Sequence, residues 1–148
     1  MDVLIDNQHE QHEIDLEEIR KTAEIILNTL DKAETELSIL ITDDLKIAEL
    51  NECYLNRKGP TNVIAFPMQA GEFTQINPYL LGDVVISTDT AAKEGRTAGI
   101  GTSMRFRELL VHGILHLCGY DHEESELEAL RMEKKADLLL QAIEKRLK

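Results

Sequence analysis

Residues 112–122, His-Gly-Ile-Leu-His-Leu-Cys-Gly-Tyr-Asp-His, constrain this chain more than any other stretch, because three of its five histidines fall there. The residues leading into them carry apolar side chains at helical spacing, namely Met104, Leu109, Leu110, Val111, Ile114 and Leu115. On a helix over about 103–118, His112 and His116 stand one turn apart on one face, where two imidazoles can converge on one ion. Gly119 suits the left-handed residue that ends such a helix, and a chain that doubles back there can bring His122 to the same ion. Three neutral nitrogens at about 2.0–2.1 Å suit zinc, one ion per chain, and leave a fourth position open, as a catalytic rather than a structural site requires. Without a metal, these imidazoles are polar groups set among Leu, Ile and Val that need other partners.

The His-x3-His-x2-Gly-x2-His spacing is shared with metzincin proteases, which carry Glu directly after the first His as general base. Gly113 stands at that position here, so a peptidase would need its base from elsewhere. Cys118 follows His116 closely, but on a helix it points away from the His112–His116 face and reads as a packing residue. Cys53 and Cys118 are read as reduced thiols, since two distant cysteines in a cytosolic chain seldom pair.

The length of 148 residues suits one domain over 1–148 with a real core. No apolar run approaches the roughly 20 residues of a membrane span, and the start, Met-Asp-Val-Leu-Ile-Asp, lacks the features of a signal peptide. A soluble cytoplasmic protein with no membrane partner is expected. The net charge of −12 argues against broad adhesion to nucleic acid. Acidic residues crowd 10–18 and 123–133, read mainly as solvated helix faces. Basic ones gather between, at Arg57, Lys58, Lys93, Arg96, Arg105 and Arg107.

Alternating Val3 and Ile5 predict a strand over 2–6, followed by His9 and His12 as exposed loop residues. Asp15 opens a helix with Glu18 at the capping-box offset and an apolar face of Leu16, Ile19, Ala23, Ile26, Leu27 and Leu30. A strand over 36–41 precedes a helix over 43–54, capped by Thr42, with Leu45, Ala48, Leu50 and Cys53 available to pack. Residues 55–62 read as a loop, 63–66 as a strand ending at Pro67, and 69–79 as an irregular connection. A strand over 80–87 contains Gly82, which suggests a bulge or a close backbone approach. Thr88 or Asp89 opens a helix that fades near Gly95 or Gly99. After the histidine helix, a last helix spans about 124–147, with Leu127, Leu130, Ala136, Leu139, Leu140 and Ile143 on its apolar side. The sum is an α+β domain: about four strands in a small mixed sheet, packed by helices, with a zincin-like metal helix at one edge.

Four stretches together resemble the YbeY family, bacterial single-strand-specific endoribonucleases of ribosomal RNA maturation. They are the histidine block, Pro-Thr-Asn-Val-Ile-Ala-Phe-Pro at 60–67, Leu-Gly-Asp-Val-Val-Ile-Ser at 81–87, and Leu50-Asn51 followed by Tyr54. They lie in the family's order, across roughly residues 36–135. The resemblance implies a metal-dependent hydrolase with zinc on His112, His116 and His122. It also implies an RNA-facing groove lined by an arginine from the segment before Pro-Thr-Asn-Val. In the family that arginine usually follows the tyrosine directly; here Leu55 does, and the nearest arginine is Arg57.

Zinc on three histidines brings the pKa of a bound water to about 7, which serves phosphodiester cleavage at neutral pH. Arg57 is the candidate to hold a phosphate, since a guanidinium donates two parallel hydrogen bonds. Arg105 and Arg107 read more readily as solvated helix residues. Asp121 is a candidate base, though orienting a ligand imidazole or capping the next helix suits it better. Asn62 and Asp83 either shape a groove or make turn and bulge hydrogen bonds. The implied partners are single-stranded RNA, ribosomal RNA of the small subunit, and a ribosomal protein that brings RNA to an acidic chain. Two other classes stay open: a non-catalytic ribosome-assembly factor with structural zinc, and a metallopeptidase.

Overall fold

The structure is a computed structural model that describes residues 2–9, 14–68, 79–121 and 125–147. The irregular connection expected at 69–79 falls outside these residues except at Tyr79, as do His12 and His122.

Four strands, β1 (Asp2–Asn7), β2 (Glu36–Thr42), β3 (Val63–Pro67) and β4 (Leu80–Ser87), form one sheet in the order β1-β2-β4-β3. β1, β2 and β4 run parallel, and β3 is an antiparallel edge. The helices are α1 (Leu16–Thr29), α2 (Asp44–Leu55), α3 (Thr88–Ala98), α4 (Thr102–Leu117) and α5 (Glu126–Leu147). The expected α+β mixed sheet is thus present. No helix among the described residues is long and apolar enough to cross a membrane.

Strand alternation divides the apolar residues between two faces. Leu37, Ile39, Ile41, Val84 and Ile86 join the interiors of α1, α4 and α5 in the main core, while Val85 and Ile64 meet Ile47 of α2 in a smaller cluster. Pairing slips between Glu36, opposite Leu80, and Leu37, opposite Gly82. A Cβ at Gly82 would collide with the Phe66 carbonyl and lie 2.9 Å from Leu117 Cδ2. Bulge and close approach therefore coincide there.

Helix starts depart from expectation in instructive ways. Asp15 caps α1 by accepting from the N–H groups of Glu17 and Glu18. The Glu18 carboxylate, however, is 3.1 Å from Arg107, so the reciprocal half of the capping box gives way to an ion pair. Asp43, not Thr42, caps α2, accepting from Lys46 N–H at 2.8 Å. α2 turns Ile47 and Asn51 inward, and Leu45 and Cys53 are exposed. Leu127 and Leu130 are likewise exposed on α5, whose buried residues are Met132, Leu139 and Ile143.

At the ends of the parallel strands the first turns of α2 and α3 are cross-linked. Asp44 Oδ1 accepts from Ser87 Oγ at 2.6 Å and Thr90 Oγ1 at 2.5 Å, and Lys93 Nζ reaches its other oxygen at 3.4 Å. Asp89 accepts from the Asp44 N–H at 3.1 Å and pairs with His9 at 2.9 Å. His9 is therefore a half-buried tether between the end of β1 and α3, not an exposed loop residue.

Burial pushes the Asp44 carboxyl upward, but the hydrogen bonds from Ser87, Thr90 and Lys93 outweigh it and hold the pKa below the ordinary 3.8. A depressed carboxylate contributes stability that is complete above its unfolded pKa and is lost as pH falls through the folded one. Asp44→Asn is expected to lower the melting temperature at neutral pH and to flatten its fall on acidification below about pH 4, measured by thermal unfolding across acidic pH.

Candidate active site

α4 carries the site because one side of it is core and the other faces a groove. Phe106, Leu109, Leu110, Val111, Ile114 and Leu115 are buried, so the intervening His112 and His116 emerge half-buried at the helix flank. Their Nε2 atoms lie 3.0 Å apart, with the rings edge to face at 76°. Both nitrogens thus turn toward one point, a separation that one ion about 2.0–2.1 Å from each can span. Among the described residues no three His, Cys, Asp or Glu side chains cluster as a ligand set; the third expected ligand, His122, lies outside them.

The end of α4 follows from Gly119, whose φ of +96° is left-handed. Its N–H bonds the His116 carbonyl at 3.0 Å and the Tyr120 N–H bonds the Leu115 carbonyl at 3.1 Å. This pair of bonds is a Schellman closure, and it carries Tyr120 and Asp121 onto the groove wall beside the histidines.

Gly113 is set by packing. A Cβ there would lie 2.7 Å from Val84 Cγ1 and 3.2 Å from Val63 Cγ2. The position that bears the metzincin base thus points into the sheet, where α4 rests directly on β3 and β4.

The groove has a volume of about 740 Å³ and runs between the end of α4 and the outer strand β3. It brings His112, His116 and Asp121 together with Arg57, Leu55 and residues 61–65. Arg57 reaches it from the turn after α2, where Asn56 is left-handed at φ 54° and the Arg57 N–H bonds the Asn51 carbonyl at 3.3 Å. The Arg57 side chain is exposed and has no ion pair among the described residues. Both Leu55, which follows the tyrosine, and the shifted Arg57 line this wall.

Arg105 and Arg107 are not solvated phosphate holders. Arg105 bonds Glu94 at 3.0 Å and Glu108 at 2.9 Å, and Arg107 bonds Glu18 at 3.1 Å. Burial lowers the Arg105 pKa, yet the Glu108 and Glu94 carboxylates more than offset it and keep the guanidinium above its ordinary value. Ser125 caps α5, accepting from the Glu128 N–H at 3.0 Å. Burial also raises the Cys118 thiol, against a lowering influence of Lys32, and the side chain packs against the main core.

Two supports were not legible beforehand. Buried Asn51 donates to the Gly59 carbonyl at 3.0 Å, tying down the loop that carries Arg57. Asn62 donates to both oxygens of Glu94, at 3.2 and 3.3 Å. An asparagine amid the apolar positions of a helix was the available signal for the first; the second joins residues far apart in sequence and left none.

A family profile described as Endoribonuclease YbeY matches residues 4–144. Proteins of that name from Geobacter metallireducens and Geobacter sulfurreducens are each 51% identical over 136 residues, 91% of both chains. One from Aquifex aeolicus is 42% identical over 132 residues, 88% of this chain and 85% of its own. The solution structure of a Thermotoga maritima protein superposes with a TM-score of 0.65 at 19% identity, covering 95% of this chain and 88% of that one, which supports the fold.

Two outcomes test this geometry. Gly113→Glu, which installs the protease residue, is expected to cost at least about 1–3 kcal/mol through overpacking and to yield no peptide hydrolysis, checked by denaturant unfolding and a peptide-cleavage assay. A maleimide is expected to label exposed Cys53 well before half-buried Cys118, whose raised thiol holds little thiolate; peptide mapping by mass spectrometry reads the order.

Proposed function

Because the chain belongs to the YbeY endoribonuclease family, a family of nucleases acting on phosphodiester bonds, we propose that it is a zinc-dependent enzyme that cuts single-stranded RNA. Its setting is maturation of small-subunit ribosomal RNA and ribosome quality control in the cytoplasm. The proposal takes residues 1–148 as one domain and one zinc ion per chain on His112, His116 and His122. The observation that carries it is the convergence of two imidazole nitrogens, 3.0 Å apart, on a groove that also holds Arg57.

The donor set fits the ion: neutral imidazoles on a rigid helix flank offer nitrogen lone pairs without a structural fourth ligand from Cys118. When bound, the zinc supplies Lewis-acid charge at the phosphate and acidifies water at neutral pH. Arg57 holds a non-bridging phosphate oxygen pair and offsets the charge that builds there. Asp121 orients an imidazole or takes a proton. Val63, Ala65 and Pro67 give the groove an apolar wall for sugar or base. A groove of about 740 Å³ has room for a short stretch of one strand.

The net charge of −12 leaves RNA docking poorly favoured at long range. A ribosomal protein is therefore the proposed partner that delivers the RNA.

The test is cleavage of a labelled single-stranded RNA by protein of known zinc content, beside a duplex control. His116→Ala is expected to lose zinc and to cut activity by more than about a hundredfold, beyond the loss seen for groups that only support a ligand. Arg57→Ala is expected to keep zinc and to lose about ten- to hundredfold, the worth of a charge-assisted hydrogen bond. Chelator is expected to leave a folded, inactive protein, because the core face of α4 is closed by Leu110, Ile114 and Leu115. Unfolding on chelation, with no cleavage by the zinc-loaded protein, would instead assign a structural zinc in a non-catalytic assembly factor.

A further inference from the structure

We propose that the side-chain oxygen of Asn62 is the group that distinguishes RNA from DNA in this groove, by accepting a hydrogen bond from a ribose 2′-hydroxyl. The assignment rests on the endoribonuclease reading and adds a specificity residue to it.

Asn62 immediately precedes β3, and its backbone is pinned by the Ser87 N–H, which donates to its carbonyl at 3.0 Å. Its side chain is half-buried, and the residue lines both the main groove and a smaller hollow of about 280 Å³ that it shares with His112. The amide nitrogen donates to Glu94 Oε1 and Oε2 at 3.2 and 3.3 Å. Glu94 in turn is held by Arg105 Nε at 3.0 Å, and Arg105 by Glu108 at 2.9 Å, one turn before His112 on α4.

This chain of contacts fixes which end of the amide faces Glu94. Turning it over would set two acceptors, the amide oxygen and a carboxylate, against each other. The nitrogen arm therefore stays on Glu94, and the oxygen arm is directed away from it, on a residue that lines the groove. No hydrogen bond to that oxygen occurs among the described residues.

An acceptor beside a phosphate site selects its ligand by chemistry. Phosphate oxygens are acceptors and gain nothing from it. The donors of an RNA strand are the 2′-hydroxyl, the exocyclic base amines and the ring N–H groups of uracil and guanine; only the first is missing from DNA. With the phosphate between Arg57 and the histidines, the nearest of these is the 2′-hydroxyl on the ribose whose 3′-oxygen carries that phosphate. DNA has no donor there.

The experiment measures binding, which separates recognition from any part the hydroxyl plays in cleavage. Zinc-loaded protein is mixed rapidly with a fluorescent single-stranded RNA, or with the deoxy strand of the same sequence with uracil retained, at fixed salt, and binding is read before cleavage sets in. The wild type is expected to prefer RNA, and Asn62→Ala to shrink that preference by about three- to tenfold, one neutral hydrogen bond, with DNA affinity unchanged. Glu94→Gln, which frees the amide to turn while keeping its volume, is expected to shrink it as well. Arg57→Ala is expected to weaken both strands alike and leave the ratio intact. Equal weakening of RNA and DNA in both Asn62→Ala and Glu94→Gln, or no RNA preference in the wild type, would overturn the 2′-hydroxyl assignment alone. Failure of the wild type to bind either strand, joined to no cleavage of the labelled RNA by the same zinc-loaded protein, would overturn the endoribonuclease reading with it.

Discussion

The contact between α4 and the sheet at Gly113 governs the rest. With hydrogen as the only side chain at 113, the helix settles directly onto Val63 and Val84. That depth decides where its flank lies, and the flank carries His112 and His116. It also draws the end of α4 down beside β3, so that the groove forms between a helix terminus and an outer strand. A bulkier residue would lift the helix and move both imidazoles together with the wall opposite them. The glycine that separates this histidine block from the protease pattern is thus a packing requirement as well as a missing base.

Charge is arranged in two tiers around that contact. Arg105 and Arg107 are spent on carboxylates of α3, α4 and α1, where they join helices. Arg57, on a turn tied by Asn51 to Gly59, meets no carboxylate among the described residues and lies at the groove. The Glu94–Arg105–Glu108 chain pairs its charges within one turn of His112.

Periodicity made the elements legible, and the boundaries of β4 were read as they stand. The helix of the histidines, its glycine end and the mixed sheet also followed from spacing. Side-chain partners were harder to read. Thr42 reads as the cap and Asp43 as the first helical residue, and only backbone geometry shifts the cap by one position. His9 seemed a loop residue because Asp89 is eighty positions away. Leu45 and Leu127 seemed inward because residue type says nothing about whether a neighbouring element covers that face. Arg105 and Arg107 seemed solvated for the converse reason: the carboxylates of Glu94 and Glu18 come from other helices. Local pattern therefore located the imidazoles, and long-range pairing decided which cations remain at the groove.

The place of β3 at the sheet's rim has a further consequence. A rim strand bordering a groove presents backbone amides and carbonyls to whatever enters, including the same strand of another molecule. β3 has only five residues and closes with Pro67, which lacks the N–H that would extend a ladder. Such a strand can stay open to a ligand while offering little purchase for self-association. The brevity of β3 thus leaves the groove accessible while giving a second copy little to pair with.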